Sequence, residues 1–293
     1  MREARYYIVA GHGFCVEAEA EDFLDKRSGT ADNKLMENYE PFRVEGCEAL
    51  FNLTVGQGDD INYVEELRQE EEGQIIICGK RRISNAPEQA VFEFIWEGVT
   101  AGWLVAEPDY HQATLVIAGD KYRKLAIDNA LMVMYALATA DKGTVLFHAA
   151  VVSHEGRGYM FLGASGTGKS THARLWLQHI EGTELVNDDN PVVRDGVVYG
   201  SPWSGKTPCY RNVSYPLGGI VLLSQAPYNK ITRLGGLQAY AALVPSISGK
   251  RWDARIADGL HETENELTSS VPIWHLECLP DEEAARLCQT TIS

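Results

Sequence analysis

Residues 163 to 170 read Gly163-Ala164-Ser165-Gly166-Thr167-Gly168-Lys169-Ser170, with Thr171 following. This is a full match to the phosphate-loop pattern G-x-x-x-x-G-K-[ST]. The chemistry of such a loop is electrostatic. Its glycines let successive N–H groups turn inward as a nest for anionic oxygens, and a helix starting behind it adds partial positive charge. Lys169 is then expected to bridge the β- and γ-phosphates, and the Ser170 hydroxyl to ligate Mg²⁺. A glycine-rich turn that merely contains a lysine is the bland alternative. The flanks argue against it, because apolar Tyr159 to Leu162 read as a strand and Ser170 to Ile180 as a helix, the setting this motif requires.

A second group follows the helix. Glu184-Leu185-Val186-Asn187-Asp188-Asp189 ends a short apolar strand in two adjacent carboxylates. Side chains alternate along a strand, so one acid is expected to serve Mg²⁺, together with Ser170, and the other to face the γ-phosphate as a base. The competing reading is an Asx turn ahead of Pro191. Downstream, Ser201 to Arg211 combines Trp203, Lys206, Tyr210 and Arg211 with Gly205 and two prolines. Lys206 and Arg211 are candidate substrate or phosphate contacts, against the alternative of a solvated loop pinned by Trp203. His172 and His179 read as ordinary side chains of the P-loop helix. Asn229-Lys230-Ile231-Thr232 fails the N-K-x-D pattern that reads guanine.

The elements that must position these residues fall into two halves. From Arg5 to about Gly119, short β-like runs alternate with turn residues, and 45% apolar and 23% charged residues describe an ordinary globular chain of 293 residues. The acidic run from Glu65 to Glu72 is expected to form a solvated helix face, with Tyr63, Val64 and Leu67 among the charges. Apolar residues at helical spacing predict a long buried helix over 121–140, and after it two strand-like runs, TVLFHAAVVS and GYMFLGA, joined by a turn at His154 to Gly158. The expected class is α/β, α+β overall, with a mostly β module over 1–119 and a nucleotide-binding domain over 120–293.

Charge and cysteines narrow the partners. With 26 Lys and Arg against 41 Asp and Glu, the net charge of −15 repels polyanions, so nucleic acid is not an expected partner and any bound anion is expected to be held by a local loop. Six cysteines without a C-x-x-C pair read as reduced thiols. No apolar stretch reaches a signal peptide or a bilayer span. The expectation is a cytoplasmic protein with no membrane partner.

Taken together, His148-Ala149-Ala150-Val151-Val152, the loop from Gly163 to Thr171, and Leu185 to Asp189 resemble the HPr kinase/phosphorylase and phosphoenolpyruvate carboxykinase-like group of P-loop proteins. The resemblance spans roughly residues 145 to 225. Lys169 lies 21 residues after His148, the spacing associated with HPr kinases. It implies a C-terminal domain of that P-loop fold, ATP with Mg²⁺, and an active-site histidine, P-loop lysine, magnesium-binding serine and second aspartate falling on His148, Lys169, Ser170 and Asp189. It also implies transfer of the γ-phosphate to a hydroxyl, serine-like in character, of a protein, peptide or small molecule. Members of the family assemble, which leaves a homo-oligomer open to this chain. One departure stands out. HPr kinases carry a downstream Glu-containing, Gly-rich signature that supplies a second metal ligand, whereas Gly200 to Pro208 contains no acid. That departure favours an alternative, a nucleotide-binding regulator without efficient catalysis; a plain ATPase is a third reading.

Overall fold

A computed structural model describes residues 2–23, 35–71, 73–84, 86–205 and 207–293. The chain is mixed α/β, built on two large mixed sheets, and divides into two compact units, Met1–Ala138 and Thr139–Ser293.

The first unit contains β1 (Arg2–Val9), β2 (His12–Glu19), two 3-10 helices (Ala20–Phe23 and Glu37–Phe42), β3 (Arg43–Val44), β4 (Ala49–Gln57), β5 (Val64–Glu71), β6 (Gln74–Arg81), β7 (Gln89–Trp96), β8 (Val99–Ala106), β9 (Gln112–Ile117) and α1 (Arg123–Thr139). Its nine strands run in the order β3-β1-β2-β4-β9-β8-β7-β6-β5. β4 is parallel to both β2 and β9, and the other pairs are antiparallel. The long helix expected at the opening of the second half instead belongs to this unit, except for its last residue. Packing explains why: Tyr135 of α1 donates to the Val9 carbonyl at 2.9 Å and meets Phe14 edge-on, while Phe14 stacks on Phe51.

Of the acidic run expected as a helix, residues 65–71 lie in strand β5; Glu72 lies outside the described residues. Local spacing does favour a helix there, and Arg68 still pairs with Glu65 three residues away. Tertiary context overrides it, because the apolar β6 next door takes β5 as its outer partner through seven register pairs, from Val64 opposite Lys80 to Glu71 opposite Gln74. A charged outermost strand also discourages edge-to-edge association.

The second unit contains β10 (Thr144–Leu146), β11 (Ala149–His154), β12 (Arg157–Leu162), α2 (Lys169–His179), β13 (Glu184–Asp189), β14 (Val192–Arg194), β15 (Val197–Tyr199), β16 (Ser214–Gln225), β17 (Lys230–Leu234), α3 (Leu237–Leu243), a 3-10 turn (Val244–Ser246), α4 (Ala254–Ser270), β18 (Ile273–Cys278) and α5 (Glu282–Ile292). The strand order is β10-β14-β15-β16-β12-β11-β13, and β16 also pairs with β18, which carries β17. The long β16 forks the sheet: its first residues pair with β15, and its remainder lies between β12 and β18, parallel to both. The two hairpins read from sequence turn at Glu155-Gly156 and Asp195-Gly196, with all four residues at positive φ, the signature of a type I′ turn.

The run TVLFHAAVVS is not one strand. It breaks at Phe147 and His148, where the backbone leaves its β14 partner to join β12 and β13. His148 N–H donates to the Ser246 carbonyl and Ser248 N–H to the Leu146 carbonyl, so the break is held by the turn after α3. No helix among the described residues is long and apolar enough to cross a membrane.

Candidate functional site

β12 ends at Leu162, and the backbone turns through Gly163 to Gly168 into α2. Gly163 has φ 148°, and a Cβ there would lie 2.5 Å from Thr167 Oγ1 and 3.2 Å from the Leu223 carbonyl. Gly168 precedes α2 at φ 107°. L side chains rarely adopt such conformations. Thr167 closes the loop by donating its N–H and its hydroxyl to the Ala164 carbonyl, at 3.1 and 2.7 Å. Gln225, at the end of β16, donates to the Gly166 carbonyl at 3.1 Å. Lys169 Nζ donates to the Gly163 carbonyl at 2.9 Å, so the ammonium folds back onto the start of its own loop. Ser165 is exposed, whereas Ser170 and Thr171 are half-buried in the first turn of α2. The first N–H groups of a helix and its dipole together favour an anion at this position.

α2 is fixed from below by a core of Ala173, Trp176 and Ile180 against Tyr159, Phe161, Ala285 and Cys288. His172 belongs to that core. It is 3% exposed, its ring meets Phe161 edge-on, and its Nε2 accepts from Trp176 Nε1 at 3.2 Å. Burial pushes its pKa down from 6.5 to about 4. The unfolded chain therefore binds this proton more readily than the folded one. The stabilisation is complete above pH 6.5 and is lost as pH falls towards 4, amounting to about 2 kcal/mol at pH 5. Urea unfolding at pH 7.5 and pH 5 should show His172→Gln losing less stability than the wild type on acidification, by about that amount. Equal losses would contradict the assignment.

The acids arrive through strand register. β13 runs antiparallel to β11, and β11 antiparallel to β12, so Asp188, Ala150 and Phe161 form one row across three strands. Asp188 thus lies about 10 Å, two strand spacings, from the strand that feeds the loop. Paired residues share a face, and Ala150 and Phe161 belong to the core under α2, so the buried Asp188 carboxyl is on the α2 side. Asp189, opposite Ala149, is on the other side. A register shift between Val151 and Val152 puts Leu185 on the Asp188 side as well, which keeps the strand's start in the core while its end carries the acid.

His148 Nδ1 is 2.9 Å from Asp189 Oδ1, with the two side chains 35% and 31% exposed. Both remain open to a reactant. An imidazole against a carboxylate can fix its orientation and share a proton with it. Asp189 Oδ2 accepts from Asn190 Nδ2 at 2.8 Å. The turn that competed with the acids in the sequence is also there, made by a different residue: Asn187 Oδ1 accepts from Asn190 N–H at 2.8 Å. Asn187, Asn190 and Ser201 were not singled out by sequence reasoning. The only signal was the Asn-x-x-Asn spacing around the two aspartates.

The downstream loop contributes less. Ser201 and Trp203 are buried, and Gly205 N–H donates to the Asp188 carbonyl at 2.7 Å, which lays this segment against the end of β13. Arg211 is not brought to the loop. Its guanidinium binds the Leu185 carbonyl at 2.6 Å and Glu184 Oε2 at 2.7 Å, five residues before Asp189 and roughly 16 Å along the strand. Lys206 lies outside the described residues. Burial pushes the Cys209 thiol up, so it stays protonated and donates to the Val186 carbonyl. All six cysteines are free.

No cluster of three or more His, Cys, Asp or Glu side chains arranged to hold a metal occurs among the described residues. The donors on the α2 side, the Ser170 hydroxyl and the Asp188 carboxylate, are hard oxygens. They suit Mg²⁺, which is commonly held by one or two carboxylates together with substrate phosphates. Compared with models of known families and with curated proteins, the chain matches none.

Proposed function

We propose that the second unit is a P-loop domain of the HPr kinase and phosphoenolpyruvate carboxykinase-like type, acting as an ATP-dependent phosphotransferase on a hydroxyl group. The observation that carries this reading is the convergence of the Gly163 to Thr171 loop, Asp188, Asp189 and His148 at one end of three adjacent strands. A phosphate loop alone implies only a nucleotide; a carboxylate held by an imidazole at the same end of the sheet supplies a base.

In this account the loop N–H groups and Lys169 bind the triphosphate, and Ser170 and Asp188 hold Mg²⁺. The cation, when bound, neutralises charge on the phosphates. Asp189, oriented by His148, takes the proton of the acceptor hydroxyl as its oxygen forms a bond to the γ-phosphorus. The bond from that phosphorus to the β-phosphate oxygen breaks, and ADP leaves. Positioning accounts for most of the rate. The acceptor is a serine-like hydroxyl on a protein, peptide or small molecule, and the reduced cysteines fit a cytoplasmic setting.

The absence of an acid from Gly200 to Pro208 favours a second reading, a nucleotide-binding regulator. Incubation with γ-labelled ATP, Mg²⁺ and a panel of free serine, an HPr-like protein and a cell extract separates them. Label on an acceptor, lost in Lys169→Ala, is the expected result. ATP binding with neither transfer nor phosphate release would replace the kinase with the regulator.

A further inference from the structure

We infer that Asn190 is a positioning residue for the Asp189 carboxylate, fixed in place by the buried side chains of Asn187 and Ser201. The inference rests on the reading of Asp189 as the proton acceptor for its consequence in catalysis, but the clamp itself is geometric.

Asp189 is gripped at both oxygens, Oδ1 by His148 and Oδ2 by Asn190. An ionised carboxylate only accepts, so it is the amide nitrogen of Asn190 that faces it. A side-chain amide on a free backbone would add little. Here the backbone of Asn190 is held on both sides: its N–H donates to Asn187 Oδ1 at 2.8 Å, and its carbonyl accepts from Ser201 Oγ at 2.6 Å. Those two side chains are fully buried. Asn187 Nδ2 donates to Ser201 Oγ at 3.2 Å and to the Trp203 carbonyl at 3.0 Å, and Ser201 Oγ accepts from Trp203 N–H at 3.2 Å. A buried polar network satisfied in this way is rigid. The carboxylate is thereby held between one group before β11 and one after β13, and the backbone of each is fixed by hydrogen bonds.

The test is a ¹⁵N-histidine ring spectrum of the full chain, with the His148 signal assigned from a His148→Asn variant. In Asn190→Leu and Asn190→Ala the freed carboxylate can turn about its last bond, so the His148 Nδ1 signal should shift or broaden while the buried His172 signal stays in place. Asn190→Gln, which keeps the donor, should restore part of the wild-type signal. Asn190→Ala, which adds no bulk, preserves the comparison should the leucine variant not fold. In the transfer assay the same two variants should lower kcat roughly tenfold to a hundredfold with little change in KM for the nucleotide. An unchanged His148 signal in both variants would overturn the clamp. If the wild type transfers no phosphate, the kinase reading fails, and the ring spectrum still decides the clamp.

Discussion

Asp189→Asn should slow phosphate transfer by about a thousandfold and leave ATP affinity close to that of the wild type. General base catalysis contributes roughly a hundredfold to ten-thousandfold, and an amide cannot take the proton. The geometry adds to the loss. Both carboxylate oxygens face nitrogen groups, His148 Nδ1 and Asn190 Nδ2, so an amide must turn its own NH₂ towards one of them. Asp189 lies on the sheet face opposite α2, which is why the phosphate loop should keep its grip. Single-turnover transfer and ATP titration of the same variant check the two halves separately. Transfer that survives the change would remove Asp189 from the chemistry; a matching loss of affinity would make it a binding residue instead.

Arg251→Ala should destabilise the protein by about 3 kcal/mol, because it strands a buried charge. Glu264, on α4, is fully buried, and its carboxylate is held by Arg251 at 2.5 Å and by the Tyr240 hydroxyl at 2.7 Å. Removing the guanidinium leaves the neutral Tyr240 hydroxyl on the carboxylate. The same guanidinium also donates to the Val244 carbonyl, at the head of the turn whose Ser246 carbonyl receives the His148 N–H. The loss therefore reaches the backbone that presents His148. Urea unfolding of the variant and of Arg251→Ala with Glu264→Gln measures it. The double variant should recover part of the stability, since a neutral amide is cheaper to bury. A change below about 0.5 kcal/mol, the size of an ordinary surface substitution, would show that Glu264 does not depend on Arg251.

Much of the candidate site was legible because it is local. The loop from Gly163 to Ser170, its flanking strand and its helix are contiguous, and glycine at positions 163, 166 and 168 matches the positive φ the backbone takes there. The type I′ hairpins at Glu155-Gly156 and Asp195-Gly196 are local for the same reason. What sequence could not supply is pairing. β5 reads as a helix until β6 is beside it, and α1 reads as the start of the second unit until Tyr135 is found on Val9. The strand through His148 reads as continuous until the 246–248 segment takes half of it. Arg211 carries the right charge for a phosphate contact, yet only the register of β13 reveals Glu184 as its partner. Asn187 and Asn190 were hidden differently. Their types are those of any turn, and their importance lies in which atoms they hold.

On the proposed reading, the Gly163 to Thr171 loop binds the phosphates of a nucleotide. Calorimetric titration of ATP with Mg²⁺ into the wild type and Lys169→Ala tests it without requiring an acceptor. One site per chain is predicted in the wild type, with affinity lowered roughly a hundredfold in the variant by the loss of charge-assisted hydrogen bonds to phosphate. No binding by the wild type, or equal binding by both proteins, would rule out a phosphate-binding role for this loop.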